Sequence, residues 1–315
     1  MQALWSFGIQ VFEVFEVFDR RAIQSVLLLV SLGVLWGSGY ALARYAMTHG
    51  VAPLGYAFWQ TLGPAVLLAV IGYRRVIADL RHFSAWRFFV VTGLLGIAVP
   101  NTTMYVVSAH LPAGLLAVIV NTAPLLTYGM AWLCSDEPFH PLRISAVVLC
   151  VIGLMVLVFV SQSFDVSQVT SIRWVLLSLL SPLCFAAIAV YTSRRRPAHL
   201  SSITLAVGML LAAFVFLLPV TLSLHAFHPI TWHWQRVDQV IILEILLSSL
   251  GYVVFFRLIQ LSGSVYYSLV AGVVAMTGLF WGWLLFQEQF SLVQWLAVGL
   301  ILISIALVTQ RFRRS

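Results

Sequence analysis

Ten apolar runs follow one another along this chain, with only short breaks between them. A helix needs about 20 mostly apolar residues to cross the hydrocarbon core of a bilayer. The runs cover roughly 23–45, 52–73, 88–109, 113–134, 144–160, 174–192, 203–224, 239–259, 264–286 and 292–309. The bilayer core offers no water to backbone groups, so such segments satisfy their hydrogen bonds internally, as helices. The pattern predicts an all-α polytopic membrane protein with ten transmembrane helices.

The composition supports a membrane location. Of the 315 residues, 62% are hydrophobic and only 9% are charged, whereas about a quarter of a soluble domain is charged. The net charge is +7 and all 17 basic residues are arginine. A basic chain can bind nucleic acid, but these arginines lie in short loops between apolar runs. We therefore expect a lipid bilayer around the protein and no nucleic-acid partner.

The arginines also predict an orientation. If the N-terminus is cytoplasmic and the runs alternate, 14 arginines lie inside and three, Arg44, Arg173 and Arg236, lie outside. Positive residues favour the cytoplasmic side of a membrane. The distribution therefore predicts a protein of the bacterial inner membrane with both termini in the cytoplasm. The segment from Gln10 to Phe18 is either an interfacial helix or a loosely ordered overhang.

Two stretches of the chain repeat each other at an offset of 151 residues. From Trp132 to Ile152, eight of 21 positions recur unchanged. The pairs Trp132/Trp283 and Glu137/Glu288 carry the most weight, because aliphatic matches are common in so apolar a chain. A duplication within a membrane protein is typical of a transporter built from two related halves.

The number of helices in each half predicts that the two copies are inverted relative to each other. Five runs in each half is an odd number, so the second half enters the membrane from the opposite side. The predicted units are an N-terminal cytoplasmic or interfacial segment (1–22), two five-helix repeats (23–160 and 172–310) and a basic cytoplasmic tail (311–315).

Several short motifs resemble the EamA family of the drug/metabolite transporter superfamily. They are Trp36-Gly37-Ser38, His110-Leu111-Pro112, Ala113-Gly114, Asn121-Thr122-Ala123-Pro124 with the Glu137 loop, and Ser262-Gly263-Ser264 with the Glu288 loop. The resemblance implies export of amino acids, other metabolites or drugs through a central cavity between the repeats. Two positions depart from the family pattern: Asp136 replaces a small residue, and Ala275 stands where a partner of Pro124 is expected.

Glu244 is the sharpest candidate for chemistry. It lies within the eighth run, and an ionisable group in the hydrocarbon core costs at least about 2.5–3.5 kcal/mol. One interpretation is a proton-coupling site or a contact for a substrate amine. The alternative is a carboxylate near the outer surface that reaches the interface or pairs with Arg236, because six residues beyond Asp238 is only about 9 Å along a helix.

Aromatic, amide and basic groups within the runs are candidates to contact a small-molecule substrate. They are Trp36, Arg44, Trp59, Asn101, Tyr105, Asn121, Tyr128, Tyr252, Tyr266 and Trp281. Packing or an interfacial aromatic belt is the alternative for each aromatic residue, and an interfacial anchor is the alternative for Arg44. Glu137 and Glu288 are expected to have a structural role at helix–helix turns.

Small residues and prolines suggest where helices touch or bend. The pairs Gly33/Gly37 and Gly278/Gly282 allow close helix approach. Prolines within the runs, at positions 64, 100, 124, 182 and 219, are expected to bend their helices. Either feature fits a moving transporter or static close packing.

No catalytic, metal-binding, cofactor-binding or nucleotide-binding motif accompanies these features. The sequence therefore predicts a secondary transporter that exports a small metabolite or amino acid by alternating access. Proton coupling through Glu244 is a hypothesis, and a monomer is compatible with the sequence. The alternative is a membrane enzyme or lipid-handling protein that acts on a prenyl-phosphate headgroup. That alternative needs acids and basic groups gathered at one face, and acids are few on the arginine-rich side.

Overall fold

A computed structural model of the protein describes residues 20–80, 85–108, 119–120, 122–136, 141–161, 172–230, 235–286 and 291–309. Within these ranges the chain forms helices, turns and short loops, with no strand. The N-terminal segment 10–18, Asn121, Glu137, Glu288 and the basic tail lie outside the described residues.

The helices are, in chain order, α1 (Arg20–Thr48), α2 (Pro53–Ile71), α3 (Tyr73–Leu80), α4 (Trp86–Gly93), a π-helical turn (Leu94–Ala98), α5 (Val99–Ser108), α6 (Ala123–Leu133), α7 (Pro141–Ser161), α8 (Ile172–Ser178), α9 (Leu180–Arg195), α10 (Ser202–Ser223), α11 (Arg236–Ser268), α12 (Val270–Phe286) and α13 (Leu292–Thr309).

The apolar runs correspond to these helices. Within the described residues, five stretches are long and apolar enough to cross a membrane: Arg21–Thr48, Pro53–Ile71, Arg173–Arg195, Ser202–Ser223 and Arg236–Ser268. Pro141–Val156 and Trp295–Ser304 are shorter apolar helices. The structure thus confirms a helical, polytopic membrane protein, while the count of ten crossings stays a prediction.

Specific residues break the helices. Gly263 interrupts α11 with a φ of 79°, a left-handed conformation that glycine adopts without steric penalty. Pro100 follows the π-helical turn, and Ser181 of α9 donates a hydrogen bond to its carbonyl over 3.1 Å. Pro124 begins α6 rather than bending it, because it occupies the first turn, where its missing N–H costs nothing.

The two halves pack against each other reciprocally. In the first half α1 packs on α11 and α12, and in the second half α9 packs on the helices α4 to α6. The central pairs are α2 with α10 and α7 with α13, each joining corresponding helices of the two halves. This arrangement buries a large apolar core around α1, α2, α10 and α11, with Leu29, Leu205 and Phe256 among its fully buried side chains.

The structure shows close helix approach at the first glycine pair. A Cβ atom at Gly33 would lie 2.4 Å from Val273, and one at Gly37 would lie 2.6 Å from Thr277, so α1 and α12 approach closely there. Among the described residues, a Cβ atom at Gly278 would meet nothing within 4 Å, and Gly278 is exposed. Close packing at the second pair stays a prediction.

We expect Gly37→Val to destabilise the protein by about 1–3 kcal/mol, because the added methyl groups overpack the α1–α12 contact. Gly278→Val is the matched control. It makes the same change in helix propensity, at a position where the added Cβ atom has no neighbour within 4 Å among the described residues. Thermal unfolding of the two purified variants in detergent measures the difference. Equal unfolding temperatures would contradict the packing assignment.

Candidate functional site

Glu244 lies at a junction of three helices. It is only 3% exposed, on α11, and its Oε1 atom accepts hydrogen bonds from Gln60 Nε2 over 2.9 Å and from Ser248 Oγ over 2.5 Å. The Tyr56 hydroxyl lies at the same junction, where it donates a hydrogen bond to the Gly39 carbonyl over 3.5 Å. We call Glu244, Gln60, Ser248, Tyr56 and Gly39 the Glu244 site.

Sequence spacing explains how the site assembles. Glu244 and Ser248 are four residues apart on α11, as Tyr56 and Gln60 are on α2, so each pair shares one helix face. Glycine brings the helices together. A Cβ atom at Gly39 of α1 would lie 2.8 Å from Glu244 Oε2, and one at Gly63 of α2 would lie 2.4 Å from Ile245.

The two oxygens of the carboxylate differ. Oε1 receives two hydrogen bonds, whereas Oε2 is buried and has no hydrogen-bond partner within the described ranges. Arg236, the cation considered as a partner, is exposed at the first turn of α11. A buried carboxylate with one unpaired oxygen can take up a proton at that oxygen, since the neutral form avoids the cost of a charge in the membrane.

A second buried acid lies one to two turns away on the same helix. Asp238 is 2% exposed, and its Oδ1 lies 3.6 Å from His228 Nε2. Its Oδ2 accepts a hydrogen bond from the Gln235 backbone N–H, which forms a capping box at the start of α11. Trp59 of α2 donates its indole N–H to the His228 carbonyl over 2.7 Å. These bonds hold the loop 224–230 against α2 and α11.

An apolar layer separates the two acids. It consists of the buried side chains of Ala46, Val51, Tyr56, Val237 and Ile241, with Trp59 packed against them. The layer closes the Glu244 site toward the end of the molecule that carries the loop 224–230.

An aromatic cluster lies on the other side of the Glu244 site. The Trp36 ring packs against Tyr252, Phe255 and Tyr267, with centroid distances of 6.0–6.2 Å. Gly251 makes room for it, since a Cβ atom there would lie 2.7 Å from Trp36 Nε1. Two positions along α1 from Trp36, Ser38 accepts a hydrogen bond from the Trp281 indole over 2.7 Å.

The structure therefore brings together part of the set of candidate substrate contacts. Trp36, Tyr252 and Trp281 gather around one segment of α1, and Trp59 lies at the loop 224–230. Tyr266 is buried in the main core and Tyr128 in a separate cluster with Val147 and Val190, so both pack rather than line a common surface.

The remaining candidates are less fully described. Asn101 is half-buried in α5. Arg44 and Tyr105 lie in α1 and α5, and only their backbones are within the described part of the chain.

Four polar residues of the region were not among the site residues predicted from the sequence. Two of them, Gln60 and Ser248, donate to Glu244. The other two are Asp238 and His228, which contact each other. The sequence places these residues in apolar runs or in loops. Gln60 offered a signal, because an amide within a membrane helix needs partners. Its distance of 184 positions from Glu244 hid the pairing.

Asp136, a departure from the family pattern, has a structural partner. Its carboxylate lies 3.3 Å from Arg194 Nη1, and the same guanidinium donates to the Cys134 carbonyl. The pair joins the end of α6 to the end of α9, where a surface ion pair contributes at most about 1 kcal/mol.

Two reciprocally packed halves with polar groups buried between them are typical of membrane transporters. The family model of the EamA-like transporter family matches residues 23–159 and 172–310. The chain therefore belongs to the EamA-like transporter family.

Similar proteins agree with this assignment. The uncharacterized transporter YvbV of Bacillus subtilis is 27% identical over 236 residues, which is 75% of each chain. The uncharacterized transporter YoaV of the same organism is 21% identical over 295 residues, covering 93% of this chain and 99% of YoaV. A solved crystal structure superposes with a TM-score of 0.74 at 16% identity, over 92% of this chain and 98% of that one, and shows a shared fold.

Proposed function

We propose that this transporter is a secondary, proton-coupled exporter of a small metabolite or amino acid across the bacterial inner membrane. The observation that carries the proposal is the buried Glu244 carboxylate, with donors on Oε1 and, among the residues that the structure describes, none on Oε2. Ionisable groups placed in this way within membrane helices are typical of ion pathways and proton relays.

Alternating access fits the surroundings of Glu244. The apolar layer around Tyr56 and Ile241 lies on one side of the carboxylate, and the aromatic cluster around Trp36 lies on the other. Opening one of these layers while the other stays closed would expose Glu244 to one side of the membrane at a time. We propose that the repeats are inverted and rock against each other around this level, as in other transporters with inverted repeats.

Aromatic residues next to the carboxylate suggest how a substrate binds. The rings of Trp36 and Tyr252 can stack on a substrate. Hydrogen-bonding groups are available on Trp281, which bonds to Ser38 of α1, and on Gln60, which bonds to Glu244. We propose that the substrate lies between Trp36 and Glu244 when the helices separate.

Reconstitution tests the transport activity itself. Proteoliposomes containing the purified protein are loaded with a panel of radiolabelled amino acids, and release is followed with and without a pH gradient. Metabolites that accumulate in the medium of overproducing cells extend the panel. Release of at least one compound above protein-free liposomes supports the proposal, and a pH gradient that leaves every flux unchanged overturns the proton coupling.

The proposed orientation makes a separate prediction. A fluorescent protein fused to the C-terminus should fluoresce, because it folds in the cytoplasm, and alkaline phosphatase inserted in the loop 224–230 should be active, because it requires the outer compartment. The arginine distribution is the physical reason. If alkaline phosphatase were active when fused to the C-terminus, and inactive in the loop 224–230, the orientation would be the opposite of the one proposed.

A further inference from the structure

An apolar groove runs along the lipid-facing surface where α2, α3 and α10 meet. Its volume is about 410 Å³, and Val66, Val70, Tyr73, Ile77, Val207 and Leu211 are among its lining residues. Val70 is 67% exposed and Ile77 is 53% exposed. The groove therefore opens outward, away from the Glu244 site, and takes no part in the proposed transport path.

Helix α3 forms one wall of the groove and has the character of an interfacial helix. Val76 is buried against the protein, whereas Arg74 and Arg75 on the same short helix are exposed. Short amphipathic helices with arginines on the polar face lie at the boundary between headgroups and acyl chains. The groove thus lies at the depth where a lipid chain begins.

Arg74 lies at the rim of the groove. Its Nε donates a hydrogen bond to the Tyr73 hydroxyl over 2.9 Å, and its guanidinium carbon lies 5.7 Å from the centre of the Tyr73 ring. Tyr73 itself lines the groove. The contact holds a positive charge beside an apolar channel, while the two terminal nitrogens of Arg74 remain available to a bidentate acceptor such as phosphate.

Other contacts hold α3 in place. Thr204 at the start of α10 donates a hydrogen bond to Asp79 Oδ2 over 2.6 Å. A Cβ atom at Gly72, before α3, would lie 2.9 Å from Ile203. Asp79 is the acid of α3, and this bond directs its carboxylate toward α10. The wall of the groove is thus fixed before any ligand binds.

We propose that this groove binds one acyl chain of an anionic phospholipid whose phosphate is held by Arg74. Arg75 follows Arg74 on the same helix, is exposed and adds positive charge. A free phosphate ion would leave the apolar channel empty, and a neutral lipid would leave the charge of Arg74 without a counterion. The combination of an apolar channel and an arginine at its rim matches a phospholipid of net negative charge.

Native mass spectrometry of the purified full-length protein tests the proposal. The probes are dioleoyl phosphatidylglycerol and dioleoyl phosphatidylcholine, titrated separately onto delipidated protein. We expect the wild type to prefer phosphatidylglycerol, and Arg74→Gln, alone or combined with Arg75→Gln, to weaken that preference by at least about fivefold. Val70→Trp should weaken binding of both lipids, because the indole fills the groove.

Arg195→Gln is the matched control, because Arg195 is an exposed arginine at the end of α9, away from the groove. It should keep the preference of the wild type. Inorganic phosphate should not displace the lipid. An unchanged preference in the Arg74→Gln/Arg75→Gln double variant, or an equal loss in Arg195→Gln, would overturn the site. Thermal unfolding of each variant confirms that it is folded.

Discussion

Glu244→Gln should abolish the ability of the protein to convert a pH gradient into a substrate gradient. One coupled proton and one pH unit can sustain a concentration ratio of about tenfold. With glutamine at this position, we expect the ratio to fall to about one, because the amide keeps the shape and the hydrogen bonds of the side chain but binds no proton.

Substrate exchange distinguishes this result from simple inactivation. Proteoliposomes with equal substrate on both sides should still exchange labelled substrate in the Glu244→Gln variant, because exchange needs no net proton movement. Ser248→Ala removes one donor to Oε1 and keeps the carboxylate, so it should retain a pH-driven gradient. A Glu244→Gln protein that still builds the full ratio would refute the assignment of Glu244 as the coupling group.

Gln60→Leu should destabilise the protein, and a second substitution should restore most of the loss. The single variant removes the amide that donates to Glu244 Oε1 over 2.9 Å and leaves a buried carboxyl group with fewer partners. The expected cost is about 1–3 kcal/mol. In Gln60→Leu/Glu244→Leu both polar groups are gone, and the Ser248 hydroxyl can donate to the helix carbonyl four residues before it.

A double-mutant cycle measures this coupling. Unfolding free energies in mixed micelles are compared for the wild type, the two single variants and the double variant. We expect the double variant to be more stable than Gln60→Leu alone, although it should not couple transport to protons. Additive losses would mean that Gln60 and Glu244 do not interact. The cycle thus separates the stability of the site from its role in transport.

Much of the architecture was predictable from the sequence. Uninterrupted apolar length predicts membrane helices, because a bilayer leaves the backbone few other structures. The position of Glu244 inside such a run marked it as unusual for the same reason. The resemblance around Trp36-Gly37-Ser38 and the two glutamate loops identified the family that the comparison with known transporters confirms.

The partners of Glu244 were not predictable. In a water-soluble helix, the apolar face indicates which side packs, but a membrane helix is apolar toward both lipid and protein. Gly33/Gly37 and Gly278/Gly282 are both GxxxG pairs, yet within the described part of the chain a close helix contact is seen at Gly33 and Gly37 and not at Gly278. Shape complementarity decides such contacts, and hydropathy does not record it.

The sequence by itself therefore determined that this chain crosses a membrane as helices, that it contains a duplicated unit and that one acid lies within an apolar helix. Each of these follows from local composition and the energetic cost of polar groups in lipid. The tertiary structure alone decided that Gln60, 184 positions before Glu244, shares a hydrogen bond with it, and that Gly39 closes the junction around them. Those contacts depend on how three distant helices fit together, because van der Waals packing between apolar surfaces sets their relative rotation.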